Sequence, residues 1–202
     1  MRRAAGCLAL AGGLLLSACA HTAVYVAPDY GIIGRQVAVM LMTNESNDLD
    51  GPPYVRSLIQ QGLAARGFLL MPPVDVDAKL KEQGFTDGGQ LAATTPQKIG
   101  EWTGADVIFY SVLEEFNYIN VGFYAQRHVR VHGRMMDART GERLWESSGD
   151  FSTRVLVADK KSAEREFAIQ LAAKAVEKIA HVPLQAESRI AVHKLLNTLP
   201  YR

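Results

Sequence analysis

The spacing of apolar positions along this chain changes repeatedly between the period of strands and the period of helices. The apolar run Gln36–Thr43 predicts a buried first strand, and the runs Phe68–Met71 and Ala105–Val112 predict two more. Between these strands the spacing predicts helices, with prolines, capping side chains and glycines at their limits. The first predicted helix starts at Pro52 and stops at Gly67, and the second is capped by Asp75, runs to Gln83 and is ended by Gly84. The third is capped by Thr95 and runs to about Thr103.

The segment 105–154 predicts an antiparallel meander, because polar and apolar residues alternate along much of it. One face of the strand 127–137 is polar and the other is apolar, as expected for a sheet with one buried side. The polar positions are His128, Arg130, His132 and Arg134, and the opposite positions are Val129, Val131, Gly133 and Met135.

A hairpin with a defined register is predicted inside this meander, marked by Asp137, Thr140, Gly141 and Trp145. The sequence 139–141 fits a three-residue loop in which Gly141 supplies the left-handed conformation. Ala138 should then pair with Glu142, and both faces become complementary along the two strands. This register sets Arg134 opposite Glu146, Arg130 opposite Asp150, Met135 opposite Trp145 and Val129 opposite Phe151.

Two further helices are predicted after the meander. Ser162–Ala180 carries the most regular apolar face, and Leu184–Asn197 is a weaker amphipathic segment that either packs on the sheet or contacts a partner. The resulting element order is β-α-β-α-α-β-β-β-α-α. It predicts an α/β (α+β) fold, a mixed sheet with a C-terminal antiparallel meander and helices packed on it.

The first residues have the layout of an export signal. Arg2 and Arg3 are followed by an apolar run to Leu16 that is too short to span a membrane. The sequence Leu16-Ser17-Ala18-Cys19 fits a bacterial lipobox, in which cleavage before Cys19 follows acylation of its thiol and precedes acylation of the new amine. An ordinary cleaved signal with a chance cysteine is the alternative. Palmitate-type chains on Cys19 would anchor the protein firmly, since one chain binds only marginally and several bind tightly.

The chain divides into four predicted parts. Residues 1–18 are the signal peptide, 19–34 an acylated tether, 35–183 the α/β lipoprotein domain and 184–202 a C-terminal helix. The tether would reach at most ~50 Å when fully extended. Ala20, where an aspartate would favour inner-membrane retention, predicts anchoring in the outer membrane on its periplasmic face.

Composition narrows the functional classes further. The formal net charge is +1, and loss of Arg2 and Arg3 with the signal lowers it by two, to −1, so no nucleic-acid partner is expected. An apolar fraction of 48% is sufficient for a buried core. The two cysteines are Cys7, removed with the signal, and Cys19, blocked by its lipid. A thiol nucleophile and a cysteine metal site are therefore not expected.

Other candidate chemistry is weak. His128 and His132 lie on a predicted strand, where a four-residue separation of ~13 Å is too long for one metal ion. Glu114 and Glu115 are neighbours on a strand and should point to opposite faces, which prevents an acid–base pair. Gly88-Gly89 is expected to be a flexible loop rather than a phosphate cradle. The sequence therefore predicts no enzyme, no cofactor and no metal.

A series of short motifs resembles a family of bacterial lipoproteins catalogued as domain of unknown function 799. The resemblance covers roughly Pro28–Ala180, and one departure is Met42-Thr43, where the family carries a proline pair. It implies a compact α/β domain similar to the amino-terminal domain of the Tol-system propeller protein and to curli-type secretion lipoproteins. No catalytic residues are implied, and only the acylated Cys19 carries over. The motifs are 28–30, Asn44-Glu45-Ser46, 67–68, 71–74, 83–85, 104–107 and 137–146.

These observations favour a non-catalytic adaptor or scaffold for envelope transport or assembly, bound to the membrane through its acyl chains and to an envelope protein. One alternative is a homo-oligomer, as a subunit of a ring or secretion channel, although the 105–154 meander is short and polar for insertion. Another is an activator of a peptidoglycan synthase, which would need a tether longer than ~50 Å. A hydrolase is the least favoured functional hypothesis.

Overall fold

The computed structural model describes residues 23–121, 124–156 and 183–200. Seven strands and four α-helices, with one short 3₁₀-helix, make up this part of the chain. The strands are β1 (Tyr25–Val26), β2 (Gln36–Val39), β3 (Thr43–Asn44), β4 (Leu69–Leu70), β5 (Val107–Asn120), β6 (Tyr124–Asp137) and β7 (Arg143–Leu156). The helices are α1 (Gly51–Ala65), α2 (Pro73–Glu82), the 3₁₀-helix (Gly88–Ala93), α3 (Pro96–Thr103) and α4 (Gln185–Leu196).

The strands form one mixed sheet in the order β1-β7-β6-β5-β2-β4, with β3 also beside β5. β2 is parallel to β4 and to β5, whereas β5, β6 and β7 form an antiparallel meander of long strands. This confirms the predicted fold class. Parallel pairing requires a crossover, which α1 provides between β2 and β4.

The ends of the helices follow the predicted signals with two exceptions. Thr95 caps α3 by accepting a 3.4 Å hydrogen bond from the Lys98 amide, as expected. α2 begins earlier than predicted, at Pro73, so Asp75 lies in its first turn instead of capping it. Gly88-Gly89 begins the 3₁₀-helix and is not a flexible loop. The Asp87 carboxylate accepts from the Gly89 amide at 2.7 Å and fixes this turn.

The hairpin between β6 and β7 has the predicted register along its length but a different loop. Cα partners are Arg134 with Glu146, Met135 with Trp145, Arg130 with Asp150 and Val129 with Phe151. Beside the loop the register shifts by one residue, and Met136 pairs with Arg143. The amide of Asp137 donates to the Glu142 carbonyl at 2.8 Å, so Ala138 does not pair with Glu142. A longer loop and a compensating bulge at Leu144 together restore the predicted register.

Two cores lie on opposite faces of the sheet. The first lies between the meander and the helices α1 and α4, and its largest fully buried side chains include Trp145, Phe109, Ile59, Leu63, Met135 and Leu195. The second is smaller and lies between β2, the start of β5 and the layer of α2, the 3₁₀-helix and α3. It includes Met40, Val76, Leu80, Ile99 and Ile108. The helices α2 and α3 therefore cover the opposite face at the parallel end of the sheet.

Small residues across the meander let α4 approach the sheet closely. A Cβ atom placed on Gly149 would lie 2.0 Å from the Ala191 carbonyl oxygen and 2.8 Å from the Leu195 nitrogen. A Cβ on Gly133 would lie 3.3 Å from a Leu195 methyl group. The weaker predicted C-terminal helix thus packs on the sheet, the first of its two expected roles. The sequence feature that indicates this packing is the pair of glycines, Gly133 and Gly149, on neighbouring strands. The apolar pattern of the helix does not reveal it by itself.

The segment before β2 is partly folded, although it was predicted to be tether. Tyr25 pairs with Glu146 and Val26 with Trp145, antiparallel to β7. The Ala27 amide donates to the Leu144 carbonyl at 2.8 Å, and Ile32 is buried in the first core. Residues 25–34 therefore belong to the body of the protein.

β5 carries a bulge near its middle. The pairing with β6 shifts between Leu113 and Glu115, while Leu113 and Phe116 are both buried in the first core. The predicted helix 162–180 lies outside the described residues. Within the ranges that the structure describes, none of the helices is both long and apolar enough to span a bilayer.

Candidate interaction surface

The polar face of the meander carries a group of charged side chains that contact one another between neighbouring strands. It lies on the side of β6 and β7 opposite the first core, because successive strand residues point to opposite faces. We call it the polar sheet face. Its members on the two strands are His128, Arg130, His132, Arg134, Glu146, Ser148 and Asp150.

Asp150 is held by two cationic or ionisable partners from the neighbouring strand. Its Oδ1 lies 2.8 Å from Nε2 of His128, and its Oδ2 accepts from Arg130 at 3.1 Å. Arg130 is its direct Cα partner, whereas His128 reaches it diagonally. The carboxylate therefore joins two successive polar positions of β6.

Glu146, four residues before Asp150 on β7, has an equivalent arrangement. Its Oε1 lies 2.9 Å from Nε2 of His132, and its Oε2 accepts from Arg143 on its own strand. The other ring nitrogen of His132 lies 3.0 Å from the Ser148 hydroxyl. Arg134, the direct Cα partner of Glu146, instead places its guanidinium 5.0 Å from the centre of the Tyr110 ring. The predicted register is correct, but the ion pair runs along the diagonal.

These contacts determine how the two carboxyl groups titrate. Burial raises the pKa of Glu146, but the hydrogen bonds and charges of Arg143 and His132 outweigh it, so the pKa lies below its ordinary value. Burial likewise raises the pKa of Asp150, and Arg130 and His128 outweigh it in the same way. Both groups are therefore ionised throughout the neutral range.

A shallow cavity of about 570 Å³ opens over this network. It is bordered by Tyr25 of β1, by Glu114 of the β5 bulge and by Arg130, Arg143 and Ser148. The bulge brings Glu114 to this face, and Asn117 donates to Glu115. The prediction that adjacent glutamates must point to opposite faces is wrong here, because it assumed a regular strand. The cavity has charges of both signs, which suits a polar partner better than a polyanion.

Ser148, His132 and Glu146 have the hydrogen-bond order of a nucleophile, a base and an orienting acid. A working site of that kind also needs free N–H donors at the position of the developing oxyanion. Ser148 lies in the middle of β7, within a run of residues paired to β6, and not at a strand-to-helix turn that exposes such donors. Its partner His132 is further held between two strands by both ring nitrogens. The arrangement therefore acts as a cross-strand clamp.

The two histidines do not share a ligand site. Each lies against a different carboxylate, His128 against Asp150 and His132 against Glu146. Within the described ranges, no three or more histidine, cysteine, aspartate or glutamate side chains lie together in a group that could hold a metal ion.

The hairpin residues singled out in the sequence have structural roles. Oδ1 of Asp137 accepts from the amides of Arg139 and Thr140 at 2.8 and 2.9 Å, and its Oδ2 accepts from Arg35 at 2.8 Å. Burial raises the pKa of Asp137, but these bonds outweigh it and lower the value. Gly141 has a φ of +77°, which confirms its predicted left-handed conformation.

Trp145 is fully buried, with its ring 5.9 Å from that of Phe109. It therefore anchors β7 in the first core. The lipobox residues Leu16, Ser17, Ala18 and Cys19 lie outside the described part of the chain.

Comparison with known proteins identifies relatives of this chain. A family model described as "Putative lipoprotein GNA1162-like" matches residues 33–199. The Neisseria meningitidis serogroup B protein named "Putative lipoprotein NMB1124/NMB1162" is 28% identical over 147 residues, which are 70% of this chain and 67% of the relative. The sequence resemblance to a lipoprotein family is thereby confirmed.

Two solved structures have a similar fold. Lipoprotein GNA1162 from Neisseria meningitidis gives a TM-score of 0.56 at 22% identity, covering 73% of this chain and 99% of that one. PelC from Paraburkholderia phytofirmans, solved as a dodecamer, gives a TM-score of 0.54 at 15% identity, covering 90% of this chain and 99% of that one. At these identities the structures establish a shared fold alone.

The contacts of Glu146 and Asp150 with their arginine and histidine partners are the clamps of the polar sheet face. Because of them, the free energy of unfolding should decrease as the pH is lowered into the acidic range. The folded-state pKa values of Glu146 and Asp150 are lowered, so their contribution is complete above the ordinary values of 4.5 and 3.8 and is lost as the pH falls through the folded values. We expect Glu146→Gln and Asp150→Asn each to reduce the free energy of unfolding at neutral pH by about 0.5–1 kcal/mol, because both pairs are partly exposed.

Urea denaturation between about pH 7 and about pH 3 measures this effect. The double variant should lose less stability than the unmodified protein on acidification. Glu142→Gln, at an exposed position of the hairpin loop, is the matched control and should leave the free energy of unfolding at neutral pH close to that of the unmodified protein. Parallel profiles for the double variant and the unmodified protein would contradict the assignment.

Proposed function

Because the chain belongs to the GNA1162-like lipoprotein family, we propose that it is a non-catalytic adaptor or scaffold in envelope transport or assembly, anchored in the outer membrane and facing the periplasm. The observation that carries this proposal is the family match over residues 33–199, and the predicted export signal at residues 1–18, which precedes Cys19, supports it. Acyl chains on Cys19 would hold the folded body beside the bilayer.

The folding of residues 25–34 supports a body close to the membrane. With β1 beginning at Tyr25, the chain between Cys19 and Tyr25 spans at most ~20 Å when extended. An activator that crosses the cell wall needs a much longer tether. The short reach therefore favours partners at or near the membrane.

The polar sheet face supports a binding role rather than catalysis. Its carboxylates are held by cross-strand clamps, and the cavity above them has charges of both signs from Arg130, Arg143 and Glu114. Such a surface can pair with a polar protein partner through complementary charges, which favour specificity and encounter rate.

Acylation at Cys19 can be tested directly. Cys19→Ser should abolish labelling of the protein by radioactive palmitate and, because cleavage follows acylation, should leave the protein at the mass of its uncleaved precursor. Cys7→Ser changes the other cysteine, which lies in the signal peptide, and should leave labelling and cleavage intact. Retained palmitate on Cys19→Ser, or its loss from Cys7→Ser, would refute the anchor.

Sorting to the outer membrane is tested in the same cells. Ala20→Asp should shift the acylated protein to the inner-membrane band of a sucrose gradient, because an acidic residue after the acylated cysteine favours retention there. An unmodified protein that already bands with the inner membrane would contradict the proposed location.

A second candidate is a subunit of a homo-oligomeric ring. It is favoured by the similarity in fold to PelC, which was solved as a dodecamer, over 90% of this chain. The mass of the acylated protein in mild detergent separates the two candidates. An adaptor that acts alone should give the mass of one 22.1 kDa chain, less its signal, whereas a ring gives a fixed multiple of it.

A further inference from the structure

β1 forms one edge of the sheet, and apolar side chains are exposed there on both faces. Val24 is 47% exposed, and Tyr25 and Val26 are each 38% exposed. Among the described strands β1 pairs only with β7, so its outer side is the sheet edge. Exposed edges with apolar side chains are normally covered or blunted in proteins.

The length of chain between Cys19 and this edge limits where the edge can lie. The described chain begins at Ala23, four residues after Cys19, and four extended residues reach at most ~14 Å. If Cys19 is acylated, as proposed above, the bilayer surface must therefore lie within about that distance of Ala23. The β1 edge is the part of the sheet closest to that point.

The side chains at this edge suit the interface between lipid headgroups and acyl chains. The Tyr25 ring lies 4.1 Å from the Arg143 guanidinium, so an amphipathic aromatic and a cation occur together. Tyrosine is enriched at membrane interfaces, and arginine can extend its charge towards phosphates. Farther along the same edge of the sheet, Leu156 at the end of β7 is 76% exposed.

We infer that the body rests on the bilayer through this edge, with Val24, Tyr25 and Val26 in contact with the lipid headgroup region and the sheet standing away from the membrane. This inference rests on the proposed anchor at Cys19. A second copy of the chain fits the edge less well, because β1 has two residues and offers a very short template for strand pairing.

The opposite edge of the same sheet provides a matched control. Five interstrand steps separate β1 from β4 in the strand order, which is ~24 Å at ~4.8 Å a step. Leu69 on β4 is 51% exposed, comparable to Val26. An edge-on body brings position 26 to the lipid and keeps position 69 away, whereas a body lying flat brings both equally close.

The test uses the full acylated protein with one added cysteine, Val26→Cys or Leu69→Cys, in a background in which Cys19 is blocked by lipid. Each variant is labelled with an environment-sensitive fluorophore and placed in phosphatidylethanolamine–phosphatidylglycerol liposomes that contain a headgroup-level spin-labelled quencher lipid. We expect the probe at position 26 to be quenched at least about threefold more than the probe at position 69, given the shallow depth of an interfacial contact. Val24→Cys serves as a second site on the same edge if Val26→Cys fails to fold.

Flotation of the liposomes distinguishes a failure of the proposed anchor at Cys19 from a failure of the edge-on contact. If the labelled proteins do not float with the lipid, the anchor at Cys19 is wrong and this inference falls with it. If they float but the two probes are quenched equally, the anchor stands and edge-on contact is wrong. A probe at position 26 that is shielded from water but not quenched by the lipid would show a protein neighbour at the edge and would also overturn the inference.

Discussion

The pairing of β1 with β7 limits how far the folded body can lie from Cys19. Two residues, Tyr25 and Val26, pair with Glu146 and Trp145, and the next amide, that of Ala27, donates to the Leu144 carbonyl. Without this pairing the segment to Gly34 would be a free tether of ~50 Å. With it, a lipid on Cys19 would hold one edge of the sheet close to the bilayer, and the position of the anchor would then determine the orientation of the whole body.

In that orientation, the long meander has one polar face available to a protein partner. Its apolar face is buried under α1 and α4, and glycines at 133 and 149 allow α4 to approach the strands. Its other face carries the cross-strand clamps of Glu146 and Asp150, in which each carboxylate joins an arginine and a histidine. If the body is attached by its edge, as proposed, this sheet presents its polar face beside the membrane.

The elements predicted from the sequence were those in which several signals agree. The register of β6 and β7 was predicted because both faces are patterned, and a one-residue slip would have reversed every side chain. The hairpin loop was predicted wrongly, since the bulge at Leu144 adds a residue without changing the pattern beyond it. β1 was missed because a two-residue strand has no measurable period.

The residues of the polar sheet face could be predicted from the sequence, but the contacts among them could not. Alternation assigned His128, His132 and their neighbours to one face, yet it does not specify whether Glu146 pairs directly with Arg134 or diagonally with His132. That choice depends on side-chain length and on Tyr110, which draws Arg134 away. The bulge that brings Glu114 to the cavity likewise leaves no signal in a pattern of polar and apolar positions.

Hydrogen exchange at the Ala27 amide tests the short tether most directly, because this group exchanges quickly in a free linker and slowly in a sheet. Measured by NMR on the folded chain, it should exchange on the slow scale of interior sheet amides such as that of Met40, which donates to Phe109 at 3.0 Å. Exchange at the rate of an unstructured peptide would mean that residues 25–34 are free. The body would then be able to move ~50 Å from its anchor in any orientation, contrary to the geometry described above.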